Sequence, residues 1–278
     1  MNKRSFIWLI IIGLVAFLSC RKKDLDMTLM QQTLFQDEVI REITADDAWE
    51  LTIVQDDSVQ YVELNYSAFL ESYLLARKEG EKLSIGFNQS VRVPSGATFN
   101  AVIHLKSLSN LTLSDAVSAT LEGEFESPSF VLELDDASTC RGGSFSTNLD
   151  AHLSDASKVA EMSFAGVRCR VVLEDASVFK GDIIASERID IEATDASRLA
   201  VYGGITPFAT VVLEDASSLN TIPMEITDMQ VALKDASEAY VNVTHSITGT
   251  LRDASSLYYS GNPDRDLDCD DSSSVTPL

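Results

Sequence analysis

Between residues 109 and 271 apolar and polar positions alternate in a rhythm that restarts about every twenty residues. Each restart is marked by an acid. Asp-Ala pairs begin at Asp115, Asp136, Asp155, Asp175, Asp195, Asp215, Asp235 and Asp253, and a worn copy, "DDSSS", places Asp271 next. The third letter is Ser in every copy from Asp136 through Asp253. Two residues before the Asp stand Leu113, Leu134, Leu153, Leu173, Ala193, Leu213, Leu233 and Leu251, and the positions four and six before are again mostly apolar. The residues between are polar or mixed, such as Glu133, His152 and Glu192. A period of two with one apolar set predicts a strand with one buried face. Four residues after the Asp a further apolar column appears, including Cys140, Val159, Phe179, Leu199 and Leu257. The chain therefore turns at Asp-Ala-Ser and resumes as strand.

A unit of this length cannot enclose its own apolar face, whereas stacked copies can, which is the logic of a parallel β-helix. At about 4.8 Å between neighbouring strands, eight or nine coils give a rod of roughly 40 Å. The alternation excludes helical repeats, and the leucine-rich pattern, with its polar Asn, fits poorly.

Residues 34–108 lack the Asp-Ala-Ser phrase but still read as β. "WELTIV", "VQYVELN", "YLLARKE", "KLSIGF" and "FNAVIHL" are separated by turn-like "QDDS", "EGE" and "PSG", and "YSAFLES" reads as a helical turn. A solenoid needs an atypical terminal unit, so this region is expected to be an N-terminal β cap continuous with a repeat domain over 109–278.

The opening "MNKRSFIWLIIIGLVAFLSC" places Lys3 and Arg4 before an apolar run that stops at Ser19-Cys20, in the manner of a bacterial export signal over residues 1–19. The run is shorter than the ~20 residues a membrane-spanning helix requires. A small residue followed by Cys resembles the lipobox of bacterial lipoproteins, with Phe17 where the common pattern has Leu. That resemblance implies a lipid on Cys20, palmitate included, a tether over 20–33, and a membrane contact through the N-terminal lipid. Arg21, Lys22 and Lys23 would then lie beside the headgroups.

Charge removes one class of partner. The 278 residues carry 43 acids against 21 bases, a formal charge of −22 that becomes −24 once Lys3 and Arg4 leave with the signal. Nucleic acid, which needs a cationic footprint, is excluded. Cys140, Cys169 and Cys269 are widely spaced, form no CxxC pair and fall on apolar columns, so buried thiols are expected.

With these residues in view, "DDAWELTIVQDDSVQYVELN", "FLESYLLARKEGEKLSIGF" and "LKSLSNLTLSDAVSATLEG" leading into serial repeats together resemble the head GIN domain family of auto-transporter adhesins. The resemblance spans about residues 35–270. It implies an all-β, right-handed parallel β-helix in an exported lipoprotein of a Bacteroidetes-type envelope, with the outer membrane as the expected location. This chain departs from the family at the corner, where the family often has Gly-Ala-Ser or Gly-Ser-Gly, and it contains no Gly-Ile-Asn tripeptide.

Two accounts of the repeated acid compete. Asp tolerates positive φ, as Gly would, and can close an Asx turn, so conformation alone could select it. Asn meets the same demand without charge, yet never occupies the position. Carboxylates stacked ~5 Å apart repel by roughly 0.8 kcal/mol per pair in water. The ladder Asp115, Asp136, Asp155, Asp175, Asp195, Asp215, Asp235 and Asp253 is therefore a candidate binding site for Ca²⁺ or another hard cation.

An enzyme is not expected. Glycoside hydrolysis needs two carboxylates facing one bond, and here acids recur uniformly. His104, His152 and His245 are scattered, and Gly142-Gly143 and Gly203-Gly204 read as turn punctuation. The expected function is a non-catalytic binding or interaction module for a glycan or surface protein, with a structural envelope lipoprotein as the alternative. Tyr240, Tyr258 and Tyr259 hint weakly at an aromatic strip and are read first as rim or capping residues.

Overall fold

The computed structural model describes residues 25–278. The signal-like run and Cys20 lie outside the described residues. Among the described residues the one helical element is a 3₁₀ turn at Ala68–Leu70, and 22 strands joined by turns and loops form one continuous sheet. No helix among the described residues is long and apolar enough to cross a membrane.

From Asn110 onward every strand pairs in parallel with strands about one coil away, as a β-solenoid requires. The register follows the repeat: Cys169 lies beside Ile189, Ile191 beside Val211 and Leu213 beside Leu233. The columns two and four before each Asp and four after it point inward. Leu134, Leu153, Leu173, Leu213 and Leu233 are at most 1% exposed and form one wall of the core. The residues before each corner build a first side of the solenoid and those after it a second. Long strands such as Lys158–Leu173 and Val178–Ala193 then bend through a third side, where Phe164 pairs with Ile183.

Aromatic rings fill the interior where the apolar columns widen. Phe145 stacks on Phe125, Phe130 and Phe164 with centroids 5.1, 4.1 and 5.3 Å apart. Such offset ring contacts add to the gain from burial itself.

The N-terminal region contains a coil of its own. Glu42–Ala45 pairs in parallel with Asn110–Leu113, and Glu50–Gln55 pairs with Ser118–Phe125. Between those two strands Asp47 and Ala48 adopt the same positive φ values as the later corners. The capping strands are inserted after this coil, not placed before it. Lys82–Phe87 and Phe99–Leu105 extend the two sides in parallel, and Leu74–Glu79 and Tyr61–Ser67 close them antiparallel. Beyond them Leu29–Leu34, which overlaps the expected tether, pairs antiparallel with Tyr61–Ser67 and forms the outermost strand on that side. Trp49 occupies the column that later holds Ser and meets Phe87 and Phe99 at 5.8 and 5.7 Å, plugging this end with rings.

The thiols separate. Cys140 and Cys169 are buried and free, as their columns predict, and burial pushes the Cys140 thiol up to about 12. Cys269 is exposed, a correction to the expectation of three buried thiols. It shares the inward column of Leu251, but among the described residues its strand, Asp264–Cys269, is paired only on the Ser246–Leu251 side and is left uncovered on the other.

Candidate functional site

The Asp-Ala-Ser corner is a tight turn. The amide of Ser177 donates to the carbonyl of Glu174 at 3.2 Å, with Asp175 at φ 51° and Ala176 at φ 62° between them. Positive φ at both central residues is the signature of a type I′ turn, for which Asn-Gly or Asp-Gly is the usual choice. Nine Asp-Ala pairs share this geometry, from Asp47–Ala48 to Asp253–Ala254. The Asp-to-Asn question is thereby divided: conformation explains why the position excludes most residues, and nothing in the backbone requires a carboxylate in place of an amide.

The corners are joined by backbone, not by side chains. The amides of Ala48, Ala116, Ala137, Ala156, Ala176, Ala196, Ala216 and Ala236 each donate to the Asp carbonyl of the next corner at 2.8 Å. Below each Ala the Ser column is sealed, and Ser138, Ser157, Ser177, Ser197 and Ser217 are at most 1% exposed with unpartnered hydroxyls. In the worn last copy the Asp270 carboxylate accepts from the amides of Asp253, Ser272 and Ser273, and these bonds hold it well below the usual carboxylate range.

The corner carboxylates themselves point to solvent. Asp115, Asp136, Asp155, Asp175, Asp195, Asp215 and Asp253 are exposed, and Asp235 meets Lys234 at 3.0 Å. At one corner the acids converge: Asp135, Asp136 and Asp155 offer oxygens all within 4.8 Å of one another. Ser154 donates to Asp135 at 2.7 Å and lowers it, while the interaction with Asp135 raises Asp155. Calcium takes six to eight oxygens, and this corner brings together three carboxylates.

On the first side a shallow groove of about 390 Å³ is lined by Glu133, Asp150, His152, Arg170, Glu174 and Glu192. Four acids face one arginine and one histidine there, and three of the acids are paired. Arg170 stands between Asp150 at 3.5 Å and Glu192 at 3.3 Å, and His152 Nε2 meets Glu174 at 3.1 Å. The other histidines also pair with acids: His104 with Asp56 at 3.2 Å, stacked on Tyr61, and His245 with Asp228 at 2.6 Å. The three remain apart, as their sequence positions suggest. The pairing of each with an acid was not foreseen, although His152 and His245 reach partners about one coil away, at a spacing the repeat makes available.

The second side carries a different groove, of about 280 Å³. Small side chains at Ala200 and Ser218, with Asn220, leave a depression between Lys180 and Tyr240. Tyr240 and Tyr258 lie in register on adjacent coils, their rings stacked 4.5 Å apart and only 9° from parallel. Tyr259 points the other way, 6% exposed in the core, with the Arg265 guanidinium over its ring. Lys180 and Arg198, both lining the groove, make no ion pair among the described residues. In so acidic a chain, two such cations beside a pair of rings stand out.

Fold and faces together define a β-solenoid of stacked acidic corners with shallow depressions on its outer sides. The chain belongs to the family described as putative auto-transporter adhesin, head GIN domain, whose pattern it matches over residues 41–263. Among solved structures it is similar to a putative adhesin of Parabacteroides merdae, with 11% identity, TM-score 0.63, and coverage of 90% of this chain and 96% of that one. A protein of Parabacteroides distasonis described as a putative lipid binding protein matches with 13% identity, TM-score 0.58, and coverage of 91% and 98%. A putative adhesin of the same species matches with 14% identity and TM-score 0.55, again over 91% and 98%. At these identities the likeness concerns the fold. No curated protein matches the chain.

Proposed function

We propose that this protein is a non-catalytic, adhesin-like binding module of a bacterial envelope, exported and held by a lipid on Cys20, with the outer membrane as its site. The observation that carries the binding role is the groove lined by Lys180, Arg198 and Tyr240, whose Tyr240 ring is backed by that of Tyr258. The half-buried Tyr240 ring, which lines the groove, suits the apolar face of a sugar ring, while the Asn220 amide, Glu238 and the Lys180 and Arg198 cations supply polar contacts around it. A glycan is therefore the favoured ligand. The family and the neighbours called adhesins support a contact role over a catalytic one. So does the first-side groove, where Asp150, Glu192 and Glu174 are tied by Arg170 and His152 and not left facing a bond to be cleaved.

A glycan array probed with the mature protein and with Tyr240→Ala tests the reading. Specific signals that fall at least tenfold in the variant support the module. Uniform silence, in a protein shown to be folded, favours a structural lipoprotein without a ligand of its own. Mass spectrometry of the mature N-terminus, compared with Cys20→Ser, tests the anchor separately.

A further inference from the structure

The described residues leave eleven large apolar side chains exposed, and four of them fall within six positions: Leu25, Met27, Leu29 and Met30, at 44, 41, 62 and 37%. Leu25, Met27 and Leu29 alternate with Asp26 and Thr28. The segment is tied down by the amides of Phe69 and Ala68, which donate to the carbonyls of Asp26 and Thr28, and by the Thr28 amide, which donates to the Asp26 carboxylate at 3.0 Å. It runs into Leu29–Leu34, which pairs with Tyr61–Ser67 along one edge and has no strand partner along the other among the described residues. An apolar edge strand open on one side is a hazard that soluble proteins normally cover or charge.

We infer that this edge is the seat of the rod on the lipid surface, with Leu25, Met27 and Leu29 dipping into the headgroup region. The inference rests on the proposed lipid at Cys20. The chain outside the structure ends where such a seat requires it to end. Cys20 is five residues before Leu25, so an extended chain places Leu25 no more than about 17 Å from an acylated cysteine. Arg21, Lys22 and Lys23 lie in between and outnumber Asp24 and Asp26, which suits anionic headgroups. An apolar contact beside the lipid adds to the membrane affinity that the lipid supplies and fixes how the rod sits on the surface. The headgroup region can also hydrogen-bond the open strand edge, which hydrocarbon could not. The rod would stand on its N-terminal end, with the groove beside Tyr240 on coils toward its far end.

The experiment places an environment-sensitive fluorophore on Leu29→Cys in the full chain, with Cys269→Ser removing the other exposed thiol. The acylated protein is reconstituted in phosphatidylethanolamine–phosphatidylglycerol vesicles, and acylation of Cys20 is read by mass spectrometry on the same sample. The expected result is blue-shifted emission, quenched several-fold by nitroxide-labelled lipids, with the quenching at least halved by Leu25→Ser/Met27→Ser. Water-like emission from protein whose Cys20 is acylated overturns the inference. Blue-shifted emission without vesicles, from a species that sediments as a dimer, also overturns it, because the occupant is then a second copy. If Cys20 proves unacylated the anchor reading fails on its own. Flotation of that same chain with the vesicles then decides: flotation lost in Leu25→Ser/Met27→Ser/Leu29→Ser upholds the seat, and absence of flotation overturns it.

Discussion

The amide of Ala196 donates to the carbonyl oxygen of Asp215 in the next coil at 2.8 Å, while the two Asp carboxylates at these corners face solvent. The bond that stacks the coils is thus independent of the acid's charge, and the acid's conformation is what the turn needs. Asp195→Val should destabilise by about 2 kcal/mol, since a β-branched residue is strained at φ 52°. Asp195→Asn should be stability-neutral in high salt and slightly stabilising in low salt, where it relieves repulsion along the ladder. Urea titrations of both variants at two ionic strengths check the pair. A clear loss of stability in Asp195→Asn at both salts would sink the conformational account.

The same corner predicts a stabilising change. The Ser197 hydroxyl is buried without a partner, between Ser177 and Ser217 in the same state. A buried hydroxyl without a hydrogen bond costs about 1–3 kcal/mol. Val117 already fills this column in an earlier coil and is fully buried. Ser197→Ala should therefore be neutral or stabilising by up to about 1 kcal/mol, read as a raised midpoint in thermal or urea unfolding. Loss of stability would mean that the hydroxyl rotates to bond the carbonyl three residues back, as Ser237 does with Lys234.

What the sequence made legible was whatever repeats in step. The columns ending in Leu173 and Leu213 announce coils because stacking imposes one environment on every copy. The corner at Asp47–Ala48 was written in "ADDAWELTIV", with Ile43, Ala45 and Leu51 in the inward columns. It escaped notice because 68 residues separate Asp47 from Asp115 and because Trp49 stands in place of Ser. The strand Leu29–Leu34 was hidden for another reason: "LMQQTL" carries no alternation, and its place is set by pairing with Tyr61–Ser67. Cys269 keeps to its column but is exposed, since burial depends on pairing on both sides and its strand is paired on one side only among the described residues. The Lys180–Tyr240 groove arises from outward residues, where no core constrains the sequence and no period can be read.

A contact between the first coil and the cap should make stability depend on pH. Asp46 Oδ1 is buried without a partner, in the space that a side chain at residue 86 would need; a Cβ on Gly86 would come within 1.7 Å of it. Burial, followed by the charge of neighbouring Asp47, pushes the Asp46 carboxyl up to about 6. The folded state therefore holds a proton that the unfolded chain, with a carboxyl near 3.8, has released. Stability should fall as pH rises from about 4 to 6 and stay lower above it. Asp46→Asn should remove that slope and stabilise the protein at pH 7.5, by about 1 kcal/mol after allowance for solvent screening at a partly exposed site. Melting curves between pH 4 and 8 check this, and an unchanged slope in the variant would refute it. Gly86→Ala should destabilise at every pH.

Phe145 tests how far coils depend on their neighbours. Its ring stacks on Phe125, Phe130 and Phe164, and strand register places Phe125 one coil before it and Phe164 one coil after, so it links coils in both directions. Phe145→Ala should cost about 3–5 kcal/mol, from lost burial and the cavity left behind. Solenoid stability is a sum of coil and interface contributions, and a weakened interface in the interior allows the parts on either side to unfold separately. The denaturant slope should therefore fall along with the midpoint, because less surface is exposed in each step. Phe145→Leu keeps most of the apolar volume and should lower the midpoint with the slope unchanged. If Phe145→Ala also leaves the slope unchanged, the rod unfolds as one unit, and the aromatic stack contributes to the core without governing cooperativity along it.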